Sequence, residues 1–182
     1  MKTLLGLIVV AVIAFFGWQY WQDHANITGP DIKISKDTSR PDPSNATFDF
    51  EDGPITLKNG SASTELAPGS VLSLDTEITR DITYGDVNGD GKNDAALIIL
   101  QSGGGSGMFV YIAAYVSGNV SYKGSNAILL GDRVSPQTVS INGDGIVTVK
   151  YLDRRSGEPL AAEPTIEVTK YFVYRGGQLE ER

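Results

Sequence analysis

The chain has 182 residues, no cysteine and a formal net charge of −7 at pH 7. This length is typical of one folded domain with additional segments. The absence of cysteine excludes disulfides, zinc–thiolate sites, cysteine nucleophiles and a lipid on an N-terminal cysteine. The acidic balance repels phosphate backbones and the chain carries no basic stripe, so we expect no nucleic-acid partner.

The first 21 residues have the pattern of a membrane anchor. Residues 4–21 read LLGLIVVAVIAFFGWQYW and contain no charge. As a helix they would span about 27 Å, close to the roughly 30 Å hydrocarbon core of a bilayer. Aromatic residues end the segment, and Lys2 precedes it, which predicts a single-pass helix with a cytoplasmic N-terminus. A cleaved signal peptide is the alternative, although the bulky stretch 15–18 lacks the small residues of a cleavage site. Both interpretations place the remaining chain in the periplasm or outside the cell.

Residues 22–45 are polar and have the composition of a linker. They are rich in Ser, Thr and Asp, contain Pro30, Pro41 and Pro43, and show no sustained apolar period. We therefore predict a flexible tether. The only histidine, His24, lies in this segment, where we expect no catalytic role for it.

Residues 46–182 have the pattern of a β domain. Their segments are short, rich in Val, Ile, Tyr and Thr, and separated by Gly, Asn, Asp and Pro. Ala95–Leu100 is continuously apolar, which predicts a central strand buried on both faces. The other predicted strands are Pro54–Leu57, Met108–Val116, 147–151 and 166–174, while Ser70–Thr83 suits either a strand or a short helix. The predicted fold is mostly β, an antiparallel sandwich or a partly open barrel, after one transmembrane helix.

Two glycine-rich segments are predicted to be hairpin turns. Asn142–Gly145 reads NGDG between two β-like runs, a strong hairpin pattern. Gly103–Gly107 reads GGGSG between two strands and lacks the Lys-Ser/Thr pair and the following helix of a phosphate loop. Arginines beside acids at 132–133 and 153–155 suggest either an anion site or ordinary surface ion pairs, and the second is favoured.

The stretch DVNGDGKND, residues 86–94, carries the most chemical information. Calcium takes six to eight oxygen ligands, and a tightly curled loop supplies them from alternate residues. Gly91 falls at position 6, where such a loop bends sharply. The predicted ligands are the side chains of Asp86, Asn88, Asp90 and Asp94 and the backbone carbonyl of Lys92. The alternative is a metal-free Asx/Gly turn; magnesium is disfavoured because it retains its waters. Leu97 occupies position 12, so the bidentate glutamate of an EF-hand is missing and we expect weak affinity.

This stretch resembles the calcium loops of FG-GAP and VCBS repeats, in which Asp-x-Asn-Gly-Asp-Gly leads directly into a strand. The resemblance implies that the same four side chains are ligands. It covers about fifteen residues and does not extend to the fold, because those repeats build propellers from several copies and this chain has one.

A wider resemblance covers most of the folded region. The stretches GDVNGDGKNDAALIIL, QSGGGSGMFVYIAAY, NAILLGDRVSPQT and YLDRRSGEPLAAEPT are similar to those of an uncharacterised family of membrane-anchored or exported bacterial envelope proteins. This resemblance implies bacterial origin and export. It gives no indication of a particular activity.

Three functions remain open from the sequence. The leading one is a non-catalytic β domain that calcium stabilises and that is displayed from the membrane. The second is a binding module for an envelope peptide, glycan or protein, which an exposed aromatic patch at Tyr111 and Tyr115 would favour. The third is a carboxylate-dependent hydrolase, which needs a concave pocket with two close acids away from residues 86–94.

Overall fold

The computed structural model describes residues 39–182, except for the side chain of Arg80. The predicted anchor and the predicted tether up to residue 38 therefore lie outside the described residues. Between residues 39 and 182 no helix has the length and apolar character of a membrane span. This part of the chain contains twelve strands and one short 3-10 turn, Pro43–Asn45.

The twelve strands form three antiparallel sheets. A hairpin consists of β1 (Thr47–Phe50) and β2 (Gly53–Thr56). A four-stranded sheet has the order β12-β11-β10-β9, and a six-stranded sheet has the order β3-β4-β5-β6-β7, with β8 also pairing with β6. Their bounds are β3 (Ser61–Glu65), β4 (Ser73–Gly85), β5 (Asp94–Gly103), β6 (Met108–Val116), β7 (Lys123–Gly124), β8 (Ile128–Asp132), β9 (Ser135–Ile141), β10 (Val147–Asp153), β11 (Ile166–Arg175) and β12 (Gln178–Glu181). The prediction of a mostly β, antiparallel fold is confirmed, and one sheet curls as a half-barrel.

Strand β5 is buried on both faces, as its apolar sequence predicts. Ala96 and Ile98 belong to a core between the six-stranded and four-stranded sheets. Leu97 and Ile99 belong to a second core, which the β1–β2 hairpin covers from the opposite face. Because side chains alternate along a strand, one continuous apolar run supplies both cores. Full burial of each leucine or isoleucine contributes about 1.5–3 kcal/mol.

Several strand predictions agree with the structure, and one differs. Met108–Val116 is β6 with the same bounds, and the ambiguous segment Ser70–Thr83 forms most of β4 rather than a helix. The first strand is β1, which precedes the predicted Pro54–Leu57. Strand β1 is only four residues long, and its buried positions, Phe48 and Phe50, alternate with polar ones. So short a pattern is easily missed.

The last residues of the predicted tether belong to the β domain. Pro41 and Pro43 are buried, the Ser44 carbonyl accepts the amide of Gly60 at 2.8 Å, and Asn45 Oδ1 accepts the amide of Asn59 at 3.1 Å. Residues 41–45 are therefore packed rather than free. Burial of the two proline rings and the two hydrogen bonds to the 59–60 turn hold this segment against the domain.

Candidate functional site

The loop of residues 86–93 joins β4 to the central strand β5. Next to the loop, the last paired residues of the two strands are Gly85 and Asp94. Gly89 and Gly91 have positive φ angles of 79° and 84°. Glycine adopts this conformation without the steric cost that other residues incur. The spacing of glycines in the sequence thus corresponds to two sharp bends.

The Asp86 carboxylate lies at the centre of the loop's own amides. Its Oδ1 accepts the amides of Gly89 at 2.7 Å and Asp90 at 3.1 Å. Its Oδ2 accepts the amide of Gly91 at 2.8 Å. Three consecutive amides therefore turn toward a single carboxylate, which folds the loop around it.

The same pattern repeats at the next two alternate positions. Asn88 Oδ1 accepts the amide of Asp90 at 3.0 Å, and Asp90 Oδ1 accepts the amide of Lys92 at 2.9 Å. Each of these side chains closes an Asx turn two residues ahead. The oxygen-bearing side chains at positions 1, 3 and 5 are thus all turned back onto the loop.

Asp94, the fourth predicted ligand, occupies a different environment. It is fully buried at the start of β5. Its Oδ2 accepts the amides of Val87 at 2.8 Å and Asn88 at 3.3 Å, and its Oδ1 accepts the amide of Ser117 at 2.7 Å. Burial raises the pKa of the Asp94 carboxyl, and the hydrogen bonds from Ser117 and Val87 oppose that rise. Asp94 holds the loop to the end of β6.

Ser117 is part of this site and was not predicted from the sequence. It follows β6 and is buried. Its Oγ donates to Asp90 Oδ2 at 2.5 Å, its carbonyl accepts Asn88 Nδ2 at 2.9 Å, and its amide donates to Asp94. All three partners are more than twenty residues away in the chain, so no local pattern indicates this role.

The electrostatic environment stabilises the charged form of Asp90. Burial acts to raise the pKa of Asp90, but hydrogen bonds from Ser117, Lys92 and Asn88 outweigh it and lower the pKa below its usual value. The Lys92 ammonium lies 3.9 Å from Asp90 Oδ2 and also lowers it. Asp90 is therefore ionised well below neutral pH.

The second NGDG turn packs against the first loop. Residues 142–146 connect β9 to β10, which confirms the predicted hairpin. Asn142 Oδ1 accepts the amides of Asp144 at 3.0 Å and Ile146 at 2.8 Å. Gly145 has a φ of 74°, and a Cβ built there would lie 2.7 Å from the Val87 carbonyl oxygen. The turn approaches the loop so closely that only glycine fits.

The donors in the loop suit a hard cation. As cation ligands, Asp86, Asn88 and Asp90 offer only oxygens, each with two lone pairs. Asp86 Oδ1 already accepts two amides, whereas Asp86 Oδ2, Asn88 Oδ1 and Asp90 Oδ1 accept one each. Within residues 39–182, no group of three or more His, Cys, Asp or Glu side chains is arranged to hold a metal. A cation here would thus rely on two carboxylates, one amide oxygen, backbone carbonyl and water, a donor set that fits calcium and not zinc.

The tyrosines singled out from the sequence are neither exposed nor fully buried. Tyr111 makes an edge-to-face contact with Phe50 at a centroid distance of 5.1 Å. Tyr115 stacks on Tyr122 at 5.3 Å. Each residue is half-buried, so the two tyrosines do not form the exposed aromatic patch that would favour the binding module.

The arginines near residues 132 and 154 are engaged by the protein itself. Arg133 Nη2 lies 3.1 Å from Asp132 Oδ2. Arg154 donates to the backbone carbonyls of Ala162 at 2.6 Å and Arg133 at 3.0 Å. Arg133 therefore forms an ion pair with its neighbour, and Arg154 holds the loop that contains Ala162. Both interactions agree with the favoured interpretation of these arginines as structural.

Two acids outside the loop share a concave surface. Asp75 and Glu77 of β4 line a groove of about 480 Å³ together with Lys58, Ser61 and Ser63. Both acids are exposed to solvent, and the described chain places no histidine beside them.

No protein-family model, curated protein or solved structure matches the chain.

Proposed function

We propose that this protein is a non-catalytic β domain, held at the membrane by residues 1–21 on the periplasmic or outer side, whose fold is stabilised by one calcium ion in the loop 86–94. The observation that carries the proposal is the repeated folding of Asp86, Asn88 and Asp90 onto the loop's own amides. Alternate oxygen-bearing side chains on a loop bent at glycines are the arrangement from which calcium draws its ligands.

The proposed ligands are the side chains of Asp86, Asn88 and Asp90 and the backbone carbonyl of Lys92, with water completing the shell. The calcium ion would neutralise the repulsion between the two carboxylates. Asp94 has a supporting role in this proposal, because it is fully buried at the start of β5 and holds three backbone amides there. It keeps the loop and the start of β5 in place.

Calcium would stabilise a junction rather than an isolated turn. The loop connects β4 with β5, reaches the end of β6 through Ser117 and contacts the β9–β10 turn at Gly145. Fixing this junction links the six-stranded sheet to the four-stranded one. At a calcium concentration one hundred times the Kd, binding would add about 2.7 kcal/mol to the free energy of unfolding.

Thermal unfolding of a fragment comprising the compact unit Lys36–Arg182 tests the proposal. We expect calcium to raise the Tm by several degrees relative to EDTA, and we expect Asp90→Asn to abolish that increase. Asp144→Asn is the matched control, since Asp144 is an exposed acid in the other NGDG turn and should leave the calcium effect intact. If millimolar calcium leaves the Tm of the unaltered fragment unchanged, the loop is a metal-free turn and the proposal is wrong.

A further inference from the structure

The inner face of the six-stranded sheet continues beyond the four-stranded sheet. Residues directly opposite one another in a sheet share a face, and two such rows form the floor of the 480 Å³ groove. The rows are Ser61, Glu77 and Leu100, and then Ser63, Asp75, Ser102 and Met108. Leu100 packs against the core, whereas Met108 is 46% exposed. The groove is therefore an uncovered end of a face that is otherwise buried.

Strand β3, beside this groove, has an open edge. It pairs with β4 on one side, and no strand of residues 39–182 pairs with its other side. The Gly60 carbonyl accepts an amide from β4, whereas the amide and carbonyl of Ser61 point away, to Lys58. Because backbone groups alternate along a strand, those of Ser63 and Glu65 also point outward. An open edge of this kind is a template for another strand.

The charges in the groove select for a basic partner. Asp75 and Glu77 lie in the two rows behind β3, and Lys58, which pairs with Ser61, also lines the groove. Asp75 Oδ1 is held by the hydroxyls of Ser63 at 2.6 Å and Ser73 at 3.2 Å. A strand added to β3 would lie roughly 10 Å from β4, two strand spacings away. On this face β3 carries Ser61, Ser63 and Glu65. The serines are short enough for Lys or Arg side chains on that strand to reach across them to the carboxylates.

We propose that the outer edge of β3 binds an extended segment of a partner protein that carries Lys or Arg at alternate positions. The partner's backbone pairs with the outward groups of Ser63 and Glu65. One basic side chain crosses Ser63 to meet Asp75 directly. Glu77 is met diagonally, because Lys58 pairs with Ser61 in its row. Main-chain hydrogen bonds supply the affinity and the carboxylates supply the selectivity, as in other strand-addition complexes. This binding needs no calcium, so its test is independent of the loop 86–94.

The test uses the full-length chain, labelled with nitrogen-15, in zwitterionic micelles. The probe is a capped octapeptide that alternates Lys and Thr, and the control peptide has the same composition in two blocks. We expect the alternating peptide, at up to millimolar concentration, to shift the NMR signals of the Ser63 and Glu65 amides. The block peptide should shift them much less, because its charges do not alternate on one face of a strand.

Three variants separate backbone pairing from charge. Ser63→Pro removes an outward amide that the native ladder does not use, and edge strands tolerate proline. It should weaken binding about fivefold relative to Ser63→Ala, which keeps that amide. Glu77→Gln should weaken binding about two- to fivefold.

Three results would overturn the proposal. One is the absence of any amide shift with millimolar alternating peptide. Another is equal binding of the two peptides, or of Ser63→Pro and Ser63→Ala, which would indicate non-specific attraction. The third is the same amide shifts on concentrating the protein alone, which would show that a second copy of the chain occupies the edge.

Discussion

Replacing Asp94 by Asn tests whether the buried carboxylate holds the loop in place. The substitution preserves the shape of the side chain but leaves one oxygen and one NH2 group in place of two oxygens. In either orientation of the new amide, the NH2 group faces at least one of the backbone amides that the carboxylate now accepts. A buried donor then faces another donor.

The size of the effect follows from the three hydrogen bonds. In the better orientation the oxygen keeps the amides of Val87 and Asn88, and the amide of Ser117, now at 2.7 Å from Oδ1, loses its acceptor. An unsatisfied buried amide costs about 1–3 kcal/mol, and the two remaining bonds lose their charge assistance. Removal of a buried charge offsets part of this, since burial raises the pKa of Asp94. We expect a net loss of about 2–3 kcal/mol.

Denaturant and thermal unfolding measure this loss directly. For a domain of this size, 2–3 kcal/mol corresponds to a decrease of roughly 5–10 °C in Tm. The decrease should appear in EDTA as well as in calcium, because these hydrogen bonds involve no metal. Asp144→Asn, an exposed acid, should change the free energy of unfolding by less than about 0.5 kcal/mol. An Asp94→Asn protein as stable as the wild type in EDTA would refute the assignment of Asp94 as the residue that fixes the loop.

Three further substitutions test the surrounding structure. Gly145→Ala should lower the free energy of unfolding by about 2 kcal/mol or more, because its Cβ would meet a carbonyl oxygen at 2.7 Å; Gly143→Ala, with open space around the new Cβ, is the control in the same melts. Asn126→Ala should speed amide exchange in β12 by removing side-chain bonds of 2.7 and 3.0 Å to that strand; unchanged exchange would contradict this role. Asp132 has its pKa lowered, first by Arg133, so its contribution to stability is present above the unfolded pKa of about 3.9 and is lost as the pH falls through the folded value. The stability difference between wild type and Asp132→Asn should therefore be constant at neutral pH and shrink below about pH 4, and a difference independent of pH would contradict it.

The strands that the sequence predicted are those with strong local patterns. Ala95–Leu100 and Met108–Val116 are long apolar runs, so burial alone dictates a strand there. Strand β12 pairs with the neighbouring β11 but was not predicted, because its four residues bury only Leu179. The division into three sheets was not predicted either, because it depends on partners distant in the chain. One example is Asn126, whose side chain pairs with the backbone of Leu179. Nothing in the residues around Asn126 indicates that contact.

The candidate loop shows the same division between local and distant information. The Asx turns of Asn88 and Asp90 and the loop amides that Asp86 accepts follow from short-range spacing, which the sequence displays. The burial of Asp94 and the contacts of Ser117 arise only when the end of β6 comes beside the loop. Sequence spacing therefore indicates which residues bear oxygens, but not which of those oxygens the fold already uses.

Because β5 supplies side chains to both cores, the two layers of the domain cannot melt separately. Loss of the hairpin layer would expose Leu97 and Ile99 on the same strand whose other face secures the four-stranded sheet. A single cooperative heat-absorption peak should result, with the slowest-exchanging amides in β5. A destabilising substitution in the loop before β5 would then lower the stability of both layers. The whole domain would still unfold as one unit.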